Sequence, residues 1–139
     1  MNFLFDTNAC ISYLNNPLSP IRRRLEQLSS NQVFVCSVVK AELFYGAMKS
    51  QNPAKTLAKQ EAFLNQFVSL PFDDRTAKIF GDIRAYLARL GTPIGPYDLQ
   101  IAAIALAHNV TLVTHNTNEF SRVPNLQIED WEKSANPSN

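Results

Sequence analysis

Phe3-Leu4-Phe5-Asp6-Thr7-Asn8 places an acid directly after a short run of large apolar residues. The apolar run shows no alternation with polar residues, which is typical of a strand covered on both faces in a parallel sheet. Thr7 or Asn8 can cap a helix that follows the strand. Asp6 therefore lies where a buried strand ends, and a carboxylate in that position is costly unless a positive charge compensates it.

The rest of the chain repeats this alternation of buried strands and helices. Residues 33–36 and 110–113 predict two more strands, residues 126–128 predict a fourth, and residues 70–72 predict a brief extended piece. The helix after Pro96 is apolar almost all round, which predicts a central position. Alternating strands and helices imply an α/β fold, with a parallel sheet and helices on both of its faces.

Three further acids lie where buried elements start or stop. Glu42 follows the second strand, Asp98 lies in the first turn of the central helix, and Glu119 follows the strand at 110–113. Sites in open parallel sheets form outside the carboxyl ends of the strands. We therefore expect Asp6 and these three acids to converge on one edge of the sheet.

Each of these acids also has a purely structural explanation. Asp6 can be a helix cap, and Asp98 can favour the helix dipole by roughly 0.3–1 kcal/mol. Glu42 can lie on a solvated helix face, and a surface Glu119 is ordinary. The combination favours a site, because two unit charges ~4 Å apart repel by about 4 kcal/mol at an effective dielectric near 20.

A divalent cation would offset this repulsion. Oxygen ligands without a cluster of His or Cys favour Mg²⁺ or Mn²⁺ over zinc. Such an ion polarises a phosphoryl oxygen and lowers the pKa of a bound water, which is the chemistry needed to cleave a phosphodiester.

Length and composition predict one domain, spanning residues 1–132 and followed by a polar tail at 133–139. Cys10 and Cys36 are too few for a disulfide framework or a zinc site, and both read best as core residues. No apolar run is long enough to span a bilayer, and the N-terminus lacks the pattern of a signal peptide. We therefore expect a cytoplasmic protein without a membrane partner.

The charge is unevenly distributed along the chain. The net charge is +1, but residues 1–60 carry seven Lys and Arg against three acids, whereas residues 61–139 carry six against nine. This asymmetry favours a basic face near an acidic centre, although chance segregation is an equal alternative. The run Arg22-Arg23-Arg24 is either a solvated helix face or a patch that contacts phosphates.

Four segments together resemble the motifs of PIN-domain ribonucleases, and more closely the VapC toxins of bacterial type II toxin–antitoxin systems. The segments are residues 5–8, 37–43, 96–98 and 112–120, in order and at fitting intervals over nearly the whole chain. The resemblance implies a three-layer α/β/α sandwich with a central parallel sheet. It also implies an Mg²⁺- or Mn²⁺-dependent endoribonuclease, a homodimer, and a cognate VapB-type antitoxin that blocks the site.

The resemblance further implies roles for individual residues. The catalytic acids would be Asp6, Glu42, Asp98 and Glu119, and the accessory polar residues would be Thr7, Thr114 and Asn116. Many PIN domains have an aspartate where this chain has Asn116, and Glu119 from the next turn is a candidate to replace it. The subgroup closest in motif style includes enzymes that cut initiator tRNA in the anticodon stem-loop, which makes RNA, and tRNA in particular, the candidate substrate.

The resulting hypothesis is hydrolysis of RNA through a carboxylate-bound metal. Asp6 and Asp98 would bind the metal directly, with Glu42 beside them or acting through water. Glu119 or Asn116 would position a second ion or the attacking water. The candidates for holding the RNA backbone are Arg22, Arg23, Arg24, Lys40 and Lys49.

Three alternatives remain at this stage. A phosphatase of the haloacid-dehalogenase type also has an aspartate after its first strand, but it usually has a second aspartate two residues later, where this chain has Asn8. A PIN-like module that binds RNA without cutting it is the second. The third is an interaction protein whose acids are helix caps, which predicts no stabilisation by Mg²⁺ or Mn²⁺.

Overall fold

A five-stranded parallel sheet organises the computed structural model, which describes residues 1–133. The strands in the described part are β1 (Phe3–Phe5), β2 (Val33–Cys36), β3 (Val68–Leu70), β4 (Thr111–Val113) and β5 (Ile128–Glu129). The α-helices there are α1 (Thr7–Asn15), α2 (Pro20–Glu26), α3 (Ser37–Met48), α4 (Pro53–Leu64), α5 (Asp74–Arg89), α6 (Pro96–Ala107) and α7 (Thr117–Phe120). The α/β/α prediction with a central parallel sheet is confirmed.

The first strand of the chain lies in the middle of the sheet. The strand order is β3-β2-β1-β4-β5, and Phe3 pairs with Val33 on one side and with Thr111 on the other. The chain proceeds from β1 outward to β2 and β3, and then crosses to the other side for β4 and β5. The boundary between β1 and β4 is therefore the topological switch point, where α/β sheets form their binding crevices.

Burial follows the apolar pattern of the sequence. All three residues of β1 are buried, because helices cover both faces of the sheet. Helix α6 buries seven of its 12 residues, from Leu99 to Ala107, which confirms its predicted central position. Trp131 closes the far edge of the core, with its ring centroid 5.1 Å from that of Phe3 and 5.2 Å from that of Phe5.

The structure corrects three local predictions. The extended piece expected at 70–72 is β3 at Val68–Leu70, and the strand expected at 126–128 is β5 at Ile128–Glu129. Both are edge strands, whose limits are set by hydrogen bonds to a neighbouring strand rather than by an apolar pattern. The cap of α1 is Asp6, not Thr7 or Asn8.

Two further predictions concern the ends of the chain and the membrane. The polar tail expected at 133–139 lies outside the described residues, apart from Lys133. No helix within residues 1–133 is both long enough and apolar enough to cross a bilayer.

Candidate acidic site at the sheet edge

Two hydrogen bonds to backbone groups hold Asp6 at the switch point. Its amide donates to the Val113 carbonyl of β4 at 3.2 Å, and its Oδ1 accepts from the Ala9 amide at 2.8 Å, which caps α1. Only 3% of the residue is exposed. Burial raises the pKa of Asp6 to about 6, hydrogen bonds from Thr114 and Ala9 oppose that rise, and the charges of Glu132 and Glu42 add to it.

Glu42 is tied to the same edge through Thr7. Helix α3 begins at Ser37, directly after β2, so its first turns stand over the carboxyl end of the sheet. The Thr7 hydroxyl of α1 donates to Glu42 Oε1 at 2.6 Å. Val39 and Leu43 bury the inner face of α3, which leaves Glu42 half-buried at the rim.

Asp98 enters the site from the first turn of α6. Gly95 and Pro96 start this helix, since proline is favoured at the first helical position and no cap side chain is present. Asp98 is half-buried, and its pKa is raised to about 6. Burial is the largest cause, followed by the charges of Glu119, Glu42 and Asp6 and by a hydrogen bond to Glu119 that favours the protonated form.

Glu119 is fixed by two donors from different segments. The Gly95 amide donates to its Oε1 at 3.3 Å, and Asn116 Nδ2 donates to its Oε2 at 2.9 Å. Buried Thr114 holds the loop before α7, because its Oγ1 accepts from the Asn116 amide at 2.9 Å. Asn116 therefore orients Glu119, and the two side chains lie side by side in the candidate site.

The four acids form no ion pair with a cationic side chain of residues 1–133. Among residues 1–133, the ion pairs within 4.0 Å are Arg24 with Glu129 and His115 with Asp130, and neither includes Asp6, Glu42, Asp98 or Glu119. Their donor atoms are all carboxylate oxygens, the ligand type that Mg²⁺ and Mn²⁺ prefer. The donor set therefore fits a hard divalent ion.

A second group of titratable side chains adjoins this edge. His115, Asp130 and Glu132 bring one donor atom each within 4.8 Å of one another, and within residues 1–133 they are the one trio of His, Cys, Asp or Glu that does so. The four acids are spaced more widely, which suits a Mg²⁺ ion that binds one or two carboxylates directly and keeps several waters. His115 Nδ1 lies 3.0 Å from Asp130 Oδ2, and Asp130 raises the pKa of His115 through a hydrogen bond and its charge.

This trio is what reasoning from the sequence missed. His115 reads as an ordinary loop residue and Asp130 as a surface acid, whereas the Asp130 side chain is only 13% exposed. Asp130 follows a strand, as Asp6 does, but that strand has only two residues, so the sequence around it carries little signal for this acid.

The basic candidates fall into two groups. Arg22 and Arg24 bind within the fold: Arg22 Nε donates to the Tyr13 carbonyl at 2.8 Å, and the Arg24 guanidinium lies over the Trp131 ring and 3.5 Å from Glu129. Arg23 is exposed on α2. Lys40 of α3 is half-buried, whereas Lys49, the residue after α3, is exposed and places its ammonium 4.4 Å from the ring centroid of Tyr45.

Comparison with known proteins covers nearly the whole chain. A family model described as PIN domain matches residues 3–126. The tRNA(fMet)-specific endonuclease VapC of Salmonella typhimurium strain LT2 is 42% identical over 131 residues, which are 94% of this chain and 98% of the relative. Ribonuclease VapC2 of Rickettsia felis is 37% identical over 134 residues, which are 96% of this chain and 100% of the relative. A chain in the crystal structure of DNA-bound VapBC from Salmonella typhimurium superposes with a TM-score of 0.89 at 41% identity, over 94% of this chain and 98% of that one.

Proposed function

The chain belongs to the PIN-domain family, as a VapC-type ribonuclease toxin, and from this premise we propose that its catalytic acids are Asp6, Glu42, Asp98 and Glu119. The family resemblance inferred from the motifs, and with it an endoribonuclease of a toxin–antitoxin module, is confirmed. We also propose that residues 1–132 form a single PIN-like domain.

One observation carries the assignment of the acids. Hydrogen bonds bring the acids together from separate segments of the chain: Thr7, next to Asp6, donates to Glu42, and Gly95, at the start of the helix of Asp98, donates to Glu119. The charges of Glu119, Glu42 and Asp6 accordingly raise the pKa of Asp98. Like charges that lie close together repel each other, so the arrangement is unfavourable unless a cation compensates it. Acids that served only as helix caps would have no reason to gather at the switch point of the sheet.

PIN-domain nucleases depend on a metal, and the oxygen donors support Mg²⁺ or Mn²⁺ as the ion here. Asp6 and Asp98 would hold it directly. Glu42, oriented by the Thr7 hydroxyl, would act through water, and Glu119, oriented by Asn116, would position the attacking water. When bound, the metal supplies Lewis acidity to the phosphoryl group and lowers the pKa of a water.

We propose tRNA as the substrate, with initiator tRNA as the first to test. The support is the 42% identity to a relative named as a tRNA(fMet)-specific endonuclease. On the surface of this chain, Arg23, Lys40 and Lys49 are the stronger candidates to contact the RNA backbone. Arg22 and Arg24 already pack on Tyr13 and on Trp131, so their charges are partly used within the fold.

A VapB-type antitoxin is the partner that the similar structures support, since they are VapBC complexes. We propose that it presents an Arg or Lys to the acidic edge, where charge-assisted hydrogen bonds to Asp6 or Asp98 would compete with the metal. Homodimerisation is a further proposal, made by analogy with the family. A complex of this chain with its antitoxin in which no cation approaches either acid would contradict the blocking mode but not the nuclease.

The comparisons favour the nuclease over two of the alternatives, the phosphatase and the RNA-binding module that does not cut RNA. A phosphatase of the haloacid-dehalogenase type is disfavoured, because Asn8 stands where that type usually has its second aspartate. A binding module that does not cut RNA is disfavoured, because the relatives at 37–42% identity are named as an endonuclease and a ribonuclease.

The test is cleavage of purified tRNAs. The chain would be incubated with initiator tRNA and, in parallel, with an elongator tRNA, in Mg²⁺, in Mn²⁺ and in EDTA, and the new 5′ ends would be mapped by sequencing. We expect one dominant cut in initiator tRNA that EDTA abolishes. Intact tRNA in both metals would contradict the proposed substrate, and equal cutting in EDTA would contradict the proposed metal dependence.

A further inference from the structure

We propose that a pocket between α3 and α6, beside the acidic edge, receives one unpaired base of the RNA substrate and so contributes to sequence selectivity. The proposal rests on the proposed function, because it assigns the pocket to the same substrate. The pocket has a volume of about 510 Å³, within the range of roughly 300–1,000 Å³ typical of small-molecule sites.

The walls of the pocket are aromatic. Tyr45 of α3 and Tyr97 of α6 both line it, and they are 65% and 59% exposed. Large aromatic side chains that remain this exposed contribute little to the core. Two of them around one cavity form a stacking surface of the kind on which proteins hold single-stranded bases.

The remaining lining of the pocket is both apolar and polar. Val38 and Ala41 contribute apolar surface, whereas Gln100 contributes an amide that can both donate to and accept from the edge of a base. An apolar slot with a few polar groups is the usual composition of a site that recognises a flat heterocycle.

The position of the pocket links it to the chemistry. Glu42 belongs both to the pocket and to the acidic edge, and Tyr97 directly precedes Asp98. A nucleotide whose phosphate lies at the acids would therefore have a base within reach of the pocket. Lys49, whose ammonium lies 4.4 Å from the ring centroid of Tyr45, places a positive charge just after the C-terminal end of α3, where it can contact a neighbouring phosphate.

The decisive experiment compares intact and abasic RNAs. A short single-stranded RNA that contains the cleavage point would be prepared in versions that each lack one base, at successive positions around the cut. We expect one abasic position to raise KM for the wild-type chain roughly 5- to 150-fold, the effect of losing one base–aromatic stack. Tyr45→Ala and Tyr97→Ala should raise KM for intact RNA by a similar factor and should remove the sensitivity to that position.

Matched variants separate stacking from loss of folding. Tyr45→Phe keeps the aromatic face and should retain the wild-type KM. Tyr86→Ala removes a tyrosine from α5 that is 39% exposed and does not line this pocket, and it should change neither KM nor the abasic profile. Wild-type values of KM in both Tyr45→Ala and Tyr97→Ala would overturn the proposal.

Two further readouts distinguish the inference from the proposed function and from another use of the surface. Fluorescence anisotropy in EDTA gives Kd for the same RNAs: selective loss of affinity without any cleavage by the wild type would contradict the nuclease and support the pocket. Sedimentation gives the oligomeric state. If Tyr45→Ala or Tyr97→Ala converts a dimer to a monomer, the surface is a contact between two copies of the chain, and the base pocket is wrong.

Discussion

Asp6 and Asp73 have the same local role in this chain and opposite electrostatic environments. Each is the N-cap of a helix, and each accepts a hydrogen bond from the amide three residues later, at 2.8 Å for Asp6 and 2.9 Å for Asp73. Asp73 is exposed, and its hydrogen bonds from Thr76 lower its pKa. Asp6 is buried near other acids, and its pKa is raised to about 6.

The comparison separates the cap from the site. A cap needs one oxygen and the backbone of one turn, and asparagine serves about as well as aspartate. Burial among like charges adds nothing to capping and opposes ionisation. The electrostatic environment of Asp6 is therefore less favourable than that of Asp73, which supports the proposal that the β1–α1 junction is functional. Four predictions test this proposal, in order of size.

The largest expected effect is on catalysis. Asp6→Asn keeps the cap and removes the charge, so we expect the rate of RNA cleavage in Mg²⁺ to fall about 10³-fold or more, because a bound metal contributes several kcal/mol in the transition state and 1.36 kcal/mol is tenfold. Asp73→Asn should leave the rate unchanged. Equal rates in the two variants would contradict the proposal that Asp6, unlike Asp73, has a catalytic role.

The second effect is on stability without metal. The folded-state pKa of Asp6, about 6, lies above its reference value of 3.8. The folded chain therefore holds more protons between these values, and the stability that this provides is present below pH 3.8 and lost as the pH rises through 6. At pH 7 in EDTA, Asp6→Asn should raise the free energy of unfolding by up to about 3 kcal/mol.

Asp73 should behave in the opposite way. Its folded-state pKa is lowered, so its contribution is present above 3.8 and is lost as the pH falls through the folded-state value. Urea denaturation in EDTA at pH 7 should therefore show Asp73→Ala as less stable than wild type and Asp6→Asn as more stable. A destabilised Asp6→Asn would mean that the carboxylate at this position is already compensated.

The third effect is stabilisation by metal. Mg²⁺ or Mn²⁺ at 100 times Kd should raise the free energy of unfolding of the wild type by about 2.7 kcal/mol. Thermal denaturation with and without EDTA should show this gain in wild type and in Asp73→Asn, and its loss in Asp6→Asn and Asp98→Asn. An unchanged melting temperature for the wild type would instead support a protein whose acids are only caps.

The smallest effect concerns the acid limb of the rate profile. Asp98 must ionise to hold a cation, so activity should fall below about pH 6. Glu119→Gln removes the charge that raises the pKa of Asp98 most and should move this limb to lower pH. Glu61→Gln, on the exposed side of α4, is the control and should leave the profile in place. A limb that stays fixed in Glu119→Gln would separate Glu119 from Asp98.

The centre of the fold was predictable from the sequence, and its edges were not. The residues of β1, all but one residue of β2 and seven of the 12 residues of α6 are buried, so their apolar runs identify these elements without further information. Val68 of β3 is 61% exposed, and its strand is defined by pairing with β2. Such a strand carries little signal in its own residues, because long-range pairing decides its limits.

The candidate site shows the same division. The places of Asp6 and Asp98 were predictable, because Asp6 directly follows the short apolar strand β1 and Asp98 lies in the first turn of the apolar helix α6. The hydrogen bond from Thr7 to Glu42 joins residues 35 positions apart in the sequence, and that from Gly95 to Glu119 joins residues 24 positions apart. No local sequence pattern predicts contacts over such separations. Asp130 follows a two-residue strand, which is too short to announce an acid at its end.

The central place of β1 in the sheet also has a bearing on protein synthesis. Phe3 pairs with Thr111, which is translated 108 residues later, and Asp98 and Glu119 are translated 92 and 113 residues after Asp6. At about 5–20 residues per second, a ribosome needs roughly 5–22 s to proceed from Phe3 to Thr111. During that time the nascent polypeptide carries Asp6 without two of its partners, so the proposed nuclease would arise only after most of the chain has emerged, and the translating ribosome and its tRNAs would be spared until then.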